Sequence, residues 1–439
     1  MSEYLRAAVK DYLVRYGGDV FPNLFTEAKG TVVRDETGRE ILDFTSGQMC
    51  ATVGHNHPAI VAALEKSAKT AIHMFSGMIP KAVVELAIKL AEWLPHPLKK
   101  SLLINTGSES NEAALRIAKL YTRGYEVIGL GGSWHGVTGG VASVSFASDR
   151  KGYGPAIPGA FSIPEPYAYR CPVKHCRDKC DMTCMKIGLA MFDSQTRGAP
   201  AAIIAEPVIS AGGVLVPPDG YFKTLRDEAR ARGMLLIFDE AQTAFGRLGV
   251  KTAAAKLGVT PDIMTVSKTL GGGVPLAAAV TTSEIEEVAH QRGFTFYTSH
   301  VSDPMPAMVG LAVLETIEKE RLLECAVEKG AYLRKRLDEL QQRYEVIGDV
   351  RGDGLLLGVE LVKDRESREP AHELGGITTK RCFDMGLSMN IRRRPERGAV
   401  WRIAPPLTVS DDEIDRAVDI LDRALRQSLD EMATRPRPS

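Results

Sequence analysis

Neither sign of charge is in surplus in this 439-residue sequence: 55 Lys and Arg offset 55 Asp and Glu, and no basic block interrupts it. That absence argues against a nucleic-acid partner or an anionic membrane surface and favours small molecules as ligands. Nor is there an apolar run approaching the ~20 residues that a membrane-spanning helix needs. The opening stretch, MSEYLRAAVKDYLVRYGG, lacks a basic region followed by an apolar one, so a cytoplasmic protein is expected. No repeat at solenoid spacing is visible. The seven Cys are an odd number, and Cys50, Cys325 and Cys382 stand far apart, which fits reduced thiols rather than a disulfide framework.

What is present is a chain able to bury a large core, with 44% hydrophobic and 25% charged residues. From about residue 58 two textures alternate. HPAIVAALEKSAKTA and KAVVELAIKLAEWL carry apolar residues at helical spacing. SLLIN, YEVIGL, AAIIAEP, MLLIFDE, IMTVSK and LAAAVTT are short apolar runs bounded by turn residues, which reads as buried parallel strands. The fold class is therefore α/β: a large, mostly parallel-sheet domain over residues 46–310, with its ligand at the carboxyl ends of the strands. Residues 311–430 read as a smaller α+β lobe, with residues 1–45 packing against it. The polar, Pro-rich stretch 431–439 is expected to be disordered.

Three stretches carry chemistry. SLLINTGSESNEAALRIAKL is a strand, a tight turn and a helix, so the N–H groups of Gly107 and Ser108 stand at the positive end of a helix. That is either an anion site or an ordinary capped helix with Ser108 as cap. MLLIFDEAQTAFGR ends a buried strand with Asp239 and Glu240. A desolvated acid there needs a cationic or donor partner, unless Asp239 is a helix cap. IMTVSKTLGGGVPLAA ends another strand at Lys268, followed by glycines that let backbone approach a ligand. A desolvated lysine is a nucleophile toward an aldehyde; an exposed one is a surface charge. Together they are the parts a pyridoxal phosphate enzyme requires: phosphate cup, acid for a pyridinium and Schiff-base lysine.

The ordered motifs TGSESNEAA, SWHG, AEP, DEAQTAFGR, SKTLGGGVPLAA and YTSHVSDP resemble those of the class III, fold type I aminotransferases over nearly the whole chain. By that resemblance pyridoxal phosphate is the cofactor. Lys268 forms the Schiff base, Asp239 pairs with the ring nitrogen, Gln242 contacts the phenolic oxygen and Trp134 stacks on the ring. His135 and Glu206 join the cofactor-binding set, and Gly107 and Ser108 hold the phosphate. Ser299 reaches the phosphate of a neighbouring subunit, which implies a homodimer with shared sites, or a tetramer of such dimers. ILDFTSGQM, FSGM, FYTSHVSDP and RIAPPLTVS are similar to the 2,2-dialkylglycine decarboxylases within that class. That likeness implies an alkali metal ion, potassium or sodium, held by oxygens of Ser76, Ser299, Val301 and Asp303. Ser299 stands where a Thr is expected, and Ala211 where a second Ser is.

Gln48 and Arg402 decide which reaction such a site would run. The bond to Cα that breaks is the one perpendicular to the cofactor ring, because only it overlaps the π system. A neutral amide from Gln48 can orient a departing carboxylate without the ground-state stabilisation of a full charge. Arg402 suits a bidentate grip on a carboxylate near the ring plane. The implied reaction converts a 2,2-dialkylglycine such as 2-aminoisobutyrate, with pyruvate, to a ketone, CO₂ and L-alanine. Gln48 as a structural amide and Arg402 as a surface ion pair are the plain alternatives. At the level of function they are a non-decarboxylating aminotransferase of ω-amino acids or amines, an amine-phosphate lyase, and a metal- or redox-sensing protein on an inactive scaffold.

The resemblance does not explain YRCPVKHCRDKCDMTCMKIG, where Cys171, Cys176, Cys180 and Cys184 fall within 14 residues. The cluster is a candidate zinc or iron–sulfur site. On a continuous helix Cys176 and Cys184 would lie ~12 Å apart, too far for one tetrahedral zinc, so a metal requires an irregular loop.

Overall fold

Near the N-terminus three short strands form an antiparallel meander: β1 (Phe25–Lys29), β2 (Val32–Asp35) and β3 (Glu40–Asp43). The structure is a computed structural model, and it describes residues 2–17, 21, 23–147, 152, 154–171, 173–176, 180–394 and 398–435.

The apolar runs form a seven-stranded sheet from β4 (Lys100–Ile104), β5 (Glu126–Leu130), β6 (Ala160–Ile163), β7 (Pro200–Ala205), β8 (Leu235–Asp239), β9 (Ile263–Val266) and β10 (Ala277–Thr281). Its order is β4-β10-β9-β8-β7-β5-β6. Strands β5, β8, β9 and β10 are buried along their whole length, so both faces are covered and the runs are continuous rather than alternating. One expectation is corrected. LAAAVTT is β10, antiparallel to both β4 and β9, because a strand buried on both faces carries no mark of its direction. With β10 reversed, the carboxyl ends of β4, β5, β7, β8 and β9 still share one edge. Helix Gly107–Thr122 lies across β7 to β10, started by a capping box between Thr106 and Glu109.

A second sheet, β11 (Ile347–Asp353), β12 (Leu356–Leu361), β14 (Asn390–Arg394) and β15 (Gly398–Ile403), has the order β11-β12-β15-β14. The short β13 (Leu387–Ser388) pairs in parallel with β3, so the N-terminal meander and the C-terminal part of the chain share a sheet.

Two boundaries differ from those drawn on the sequence. A division at residue 311 would cut helix Pro304–Lys319, which packs on helices Pro58–Thr70 and Lys81–Trp93; the next helix, Leu322–Arg343, packs on β11 and on helix Asp411–Thr434. The disorder expected from residue 431 does not begin there, because helix Asp411–Thr434 continues through it on a buried stripe that includes Ile414, Val418, Leu421 and Leu425. Residues 436–439 lie outside the described residues. Among the described residues no helix is long and apolar enough to cross a membrane.

Candidate active site

The carboxyl edge of the central sheet opens into a cavity of about 390 Å³ lined by Gly107, Ser108, Trp134, His135, Asp239 and Lys268, among others. That volume suits a small molecule or cofactor. Each strand end supplies a part. After β4 the chain turns through Thr106 into the helix, leaving the first N–H groups pointing outward at its positive end. A Cβ on Gly107 would sit 2.8 Å from Ser267 Oγ, and one on Gly136 would sit 2.7 Å from Ser108 Cα. Both glycines keep the cup open to an anion. The Ser108 hydroxyl accepts from the N–H groups of Val137 (3.0 Å) and Thr138 (3.1 Å), tying the loop after β5 to the helix start.

Asp239 ends β8 and lines the cavity. It caps no helix: its Oδ1 accepts from Ala241 N–H at 3.1 Å in a turn, while Glu240 accepts from Ala253 N–H at 2.7 Å and Ala254 N–H at 2.8 Å at the start of helix Ala253–Leu257, whose cap is Thr252. His135 Nδ1–H donates to Asp239 Oδ2 at 2.9 Å, and Asn111 Nδ2 donates to the same oxygen at 2.8 Å. Burial alone would raise the Asp239 carboxyl, but the His135 hydrogen bond and the charges of His135 and Lys268 hold it below its ordinary value. An ionised acid is therefore presented to whatever occupies the cavity.

Lys268 opens the 3₁₀ turn two residues after β9, in the left-handed region at φ +49°, a conformation that costs a non-glycine residue energy and recurs at functional sites. Burial lowers its amine below the ordinary lysine range, against the pull of Asp239, Cys50 and Glu206. A fraction of the amine is thus free of its proton nearer neutrality than for a surface lysine.

Behind the cavity, Glu206 accepts from Trp134 N–H (2.8 Å) and Ser210 N–H (3.2 Å), and burial pushes its carboxyl up to about 7. Gln242 Oε1 accepts from Ser210 Oγ at 2.8 Å and from Arg402 Nη1 at 3.0 Å. Arg402, on β15, is 4% exposed and makes no ion pair among the described residues; burial, with Arg392 nearby, lowers it to about 9.

Other expected residues stand apart. Gln48 is exposed rather than buried, and its amide has no partner among the described residues. A kink through Gly47 (φ 62°, ψ −125°) and Gln48 itself turns the segment outward, while Cys50, two residues on, lines the cavity. Ser299 is exposed and outside the cavity lining. The two carboxylate oxygens of Asp303 are engaged by His73 Nδ1 (2.6 Å) and His300 Nδ1 (2.7 Å), the Ser76 hydroxyl bonds to the Tyr297 hydroxyl, and Val301 is buried. The side-chain oxygens expected to hold an alkali ion at Ser76 and Asp303 thus have protein partners.

Two residues escaped the sequence reading. Asn111 bridges Asp239, the His135 carbonyl (2.8 Å) and the Thr265 hydroxyl (2.6 Å). Its signal is a buried amide one turn after Gly107, on the face that also carries Ala114 and Ala118. Arg247 is buried and donates to the carbonyls of Leu355 and Pro405 and to the hydroxyls of Ser46 and Thr52.

The residues fit pyridoxal phosphate: an anion cup, an ionised acid and a lysine share one cavity, and the buried Ser267 Oγ and His135 Nε2 have no partner among the described residues. A family model described as Aminotransferase class-III matches residues 14–425. An uncharacterized aminotransferase of Schizosaccharomyces pombe is 46% identical, over 94% of this chain and 92% of its own. A leucine/methionine racemase of Thermococcus litoralis is 36% identical, over 97% of this chain and 94% of its own. The ω-transaminase of Pseudomonas jessenii, solved in complex with PMP, superposes with a TM-score of 0.88 at 26% identity, covering 97% of this chain and 98% of that one.

Proposed function

Because the chain belongs to the class-III aminotransferases, we propose that it acts on α-amino acids and 2-oxo acids, and that its distinctive reaction is decarboxylating transamination. In that reaction 2-aminoisobutyrate and pyruvate become acetone, CO₂ and L-alanine. The observation that carries the reading is Arg402: a buried cation beside Gln242, with no ion pair among the described residues, suits the α-carboxylate of a substrate.

Pyridoxal phosphate, when bound, supplies an aldehyde for the amino group and a ring that accepts electrons from Cα. Gly107 and Ser108 would hold its phosphate, Asp239 its ring nitrogen and Trp134 its face. The chain's residues do the rest. Arg402 holds a carboxylate and so fixes which bond to Cα stands perpendicular to the ring. Lys268 Nζ, partly free of its proton, takes the proton from Cα of alanine or returns one. Gln48 would orient a carboxylate leaving as CO₂, which requires its amide to turn in from its exposed position. Ser299, exposed beside a segment that also exposes Ile72, Phe75, Met78, Ile79 and Tyr297, supports a site completed by a second copy of the chain. An alkali ion would have to compete with His73 and His300 for Asp303, and forms no part of the proposal.

A second reading, aminotransfer without decarboxylation, is favoured by the exposed and unpartnered amide of Gln48. Single-turnover spectra with 2-aminoisobutyrate, combined with capture of CO₂, decide between them. Stoichiometric CO₂ with acetone is expected. Amino transfer from alanine with no CO₂ from 2-aminoisobutyrate would leave the plain aminotransferase, and racemisation of alanine without net transfer would overturn both.

A further inference from the structure

The four cysteines that the aminotransferase chemistry leaves unused lie between β6 and the first turn of helix Thr183–Gln195. We propose that this insert holds a zinc ion through the sulfurs of Cys171, Cys176, Cys180 and Cys184.

The backbone removes the objection raised by their spacing. Cys171 follows a single 3₁₀ turn, Ala168–Arg170, and Cys176 closes another, Lys174–Cys176. Cys180 is in a loop, and only Cys184 is α-helical, in the first turn of its helix. The spacing of one continuous helix therefore does not apply to these four thiols.

Cys171, Cys176 and Cys184 are buried, Cys180 is half-buried, and all four are free thiols. They are gathered in one stretch but not yet assembled: among the described residues no three of the four sulfurs lie within 4.8 Å of one another, so the metal would draw them together. Met182 N–H donates to Cys180 Sγ at 3.4 Å, a contact of the kind that supports thiolate ligands.

A competing ligand set has to be weighed. His175, Cys176 and Asp181 bring their ligand atoms within 4.8 Å of one another, and Cys176 Sγ lies 2.7 Å from Asp181 Oδ1. His175 and Asp181 are exposed, however, whereas soft thiolates on the buried side select zinc. Closure on four sulfurs requires Cys176 to turn from Asp181 toward Cys171. As Zn²⁺ enters, the four thiols release four protons to solvent and four Zn–S bonds form, leaving a complex of net charge −2. With no position left open to water, the site is structural. It lies outside the cofactor cavity, none of whose lining residues is one of the four.

The test uses the full chain purified without chelator. Elemental analysis is expected to give one zinc per chain, released when a mercurial titrates the thiols. Cys171→Ser and Cys184→Ser should each retain less than about a tenth of it, and His175→Ala should retain it all. Because a serine variant can fail through misfolding, wild-type chain grown with cobalt is the second measurement, and thiolate-to-metal charge-transfer absorption is expected. The proposal is overturned by wild-type chain that carries no metal while its thiols react freely. Zinc lost from His175→Ala but kept in Cys171→Ser, or iron with acid-labile sulfide in place of zinc, overturns it equally.

Discussion

Arg402 Nη1 donates to Gln242 Oε1 at 3.0 Å, and Glu206, the carboxylate that acts on this guanidinium, does so without forming an ion pair with it. A buried cation whose direct partners are neutral is costly on its own terms and gains when an anion arrives. Burial lowers this arginine to about 9.

Arg402→Ala should therefore lower kcat/KM for amino acids by roughly 30- to 150-fold, the equivalent of ~2–3 kcal/mol for a charged hydrogen-bonded pair. A primary amine without a carboxylate should be used about as well as before. Steady-state kinetics with both donors check it; equal losses on the two would remove Arg402 from carboxylate binding.

Gln48→Ala concerns the choice between reactions. If the amide orients a departing carboxylate, decarboxylation of 2-aminoisobutyrate should fall on the order of 30-fold while transamination of L-alanine, which relies on Arg402, changes little. The two half-reactions followed in single turnover give the ratio directly. Equal slowing would make the amide structural.

Gly136→Ala should strip the cofactor. The residue sits at φ +132° with Ser108 Cα 2.7 Å from where a Cβ would be, so the loop after β5 must move away from the helix start. Loss of cofactor absorbance after gel filtration is expected, together with a destabilisation of roughly 1–3 kcal/mol from strain. A variant that retains the cofactor as tightly as wild type would contradict this.

Glu206 sets a pH dependence of stability in the cofactor-free chain. Its carboxyl lies at about 7 when folded against an ordinary 4.5, so the folded chain binds this proton more tightly than the unfolded one. The stabilisation is fully present below pH 4.5 and is lost as pH rises through 7, a change of ~3 kcal/mol. In Glu206→Gln this slope should vanish, whatever the variant's absolute stability. Denaturant midpoints at several pH values test it, and parallel curves for the two proteins would refute it.

That Lys268, Asp239 and the Gly107–Ser108 turn gather at strand ends was legible in the sequence because turn residues and a change of periodicity mark such ends, whereas Trp134 came only from the resemblance. Direction and kinks were not. The alanine-rich run of β10 reads the same either way round, and only pairing with β4 and β9 reveals it as antiparallel. Gln48 follows a glycine whose positive φ is set by Asp43 and His55, residues that bond to each other at 2.8 Å and whose carboxylate also holds Gly47 N–H. Asn111 looked like any polar helix residue because its three partners come from β8, the loop after β5 and β9, which composition does not place side by side.

Arg247 grips Ser46 and Thr52 on one side and the carbonyls of Leu355 and Pro405 on the other. One guanidinium thus rivets the chain on both sides of Gln48 to the residue just before β12 and to the chain just after β15, the strand that carries Arg402. To part those segments, a movement must break its charged hydrogen bonds together, each worth ~1.5–3 kcal/mol. Loss of the Arg247 guanidinium would therefore loosen the segment of Gln48 and the strand end of Arg402 in one stroke.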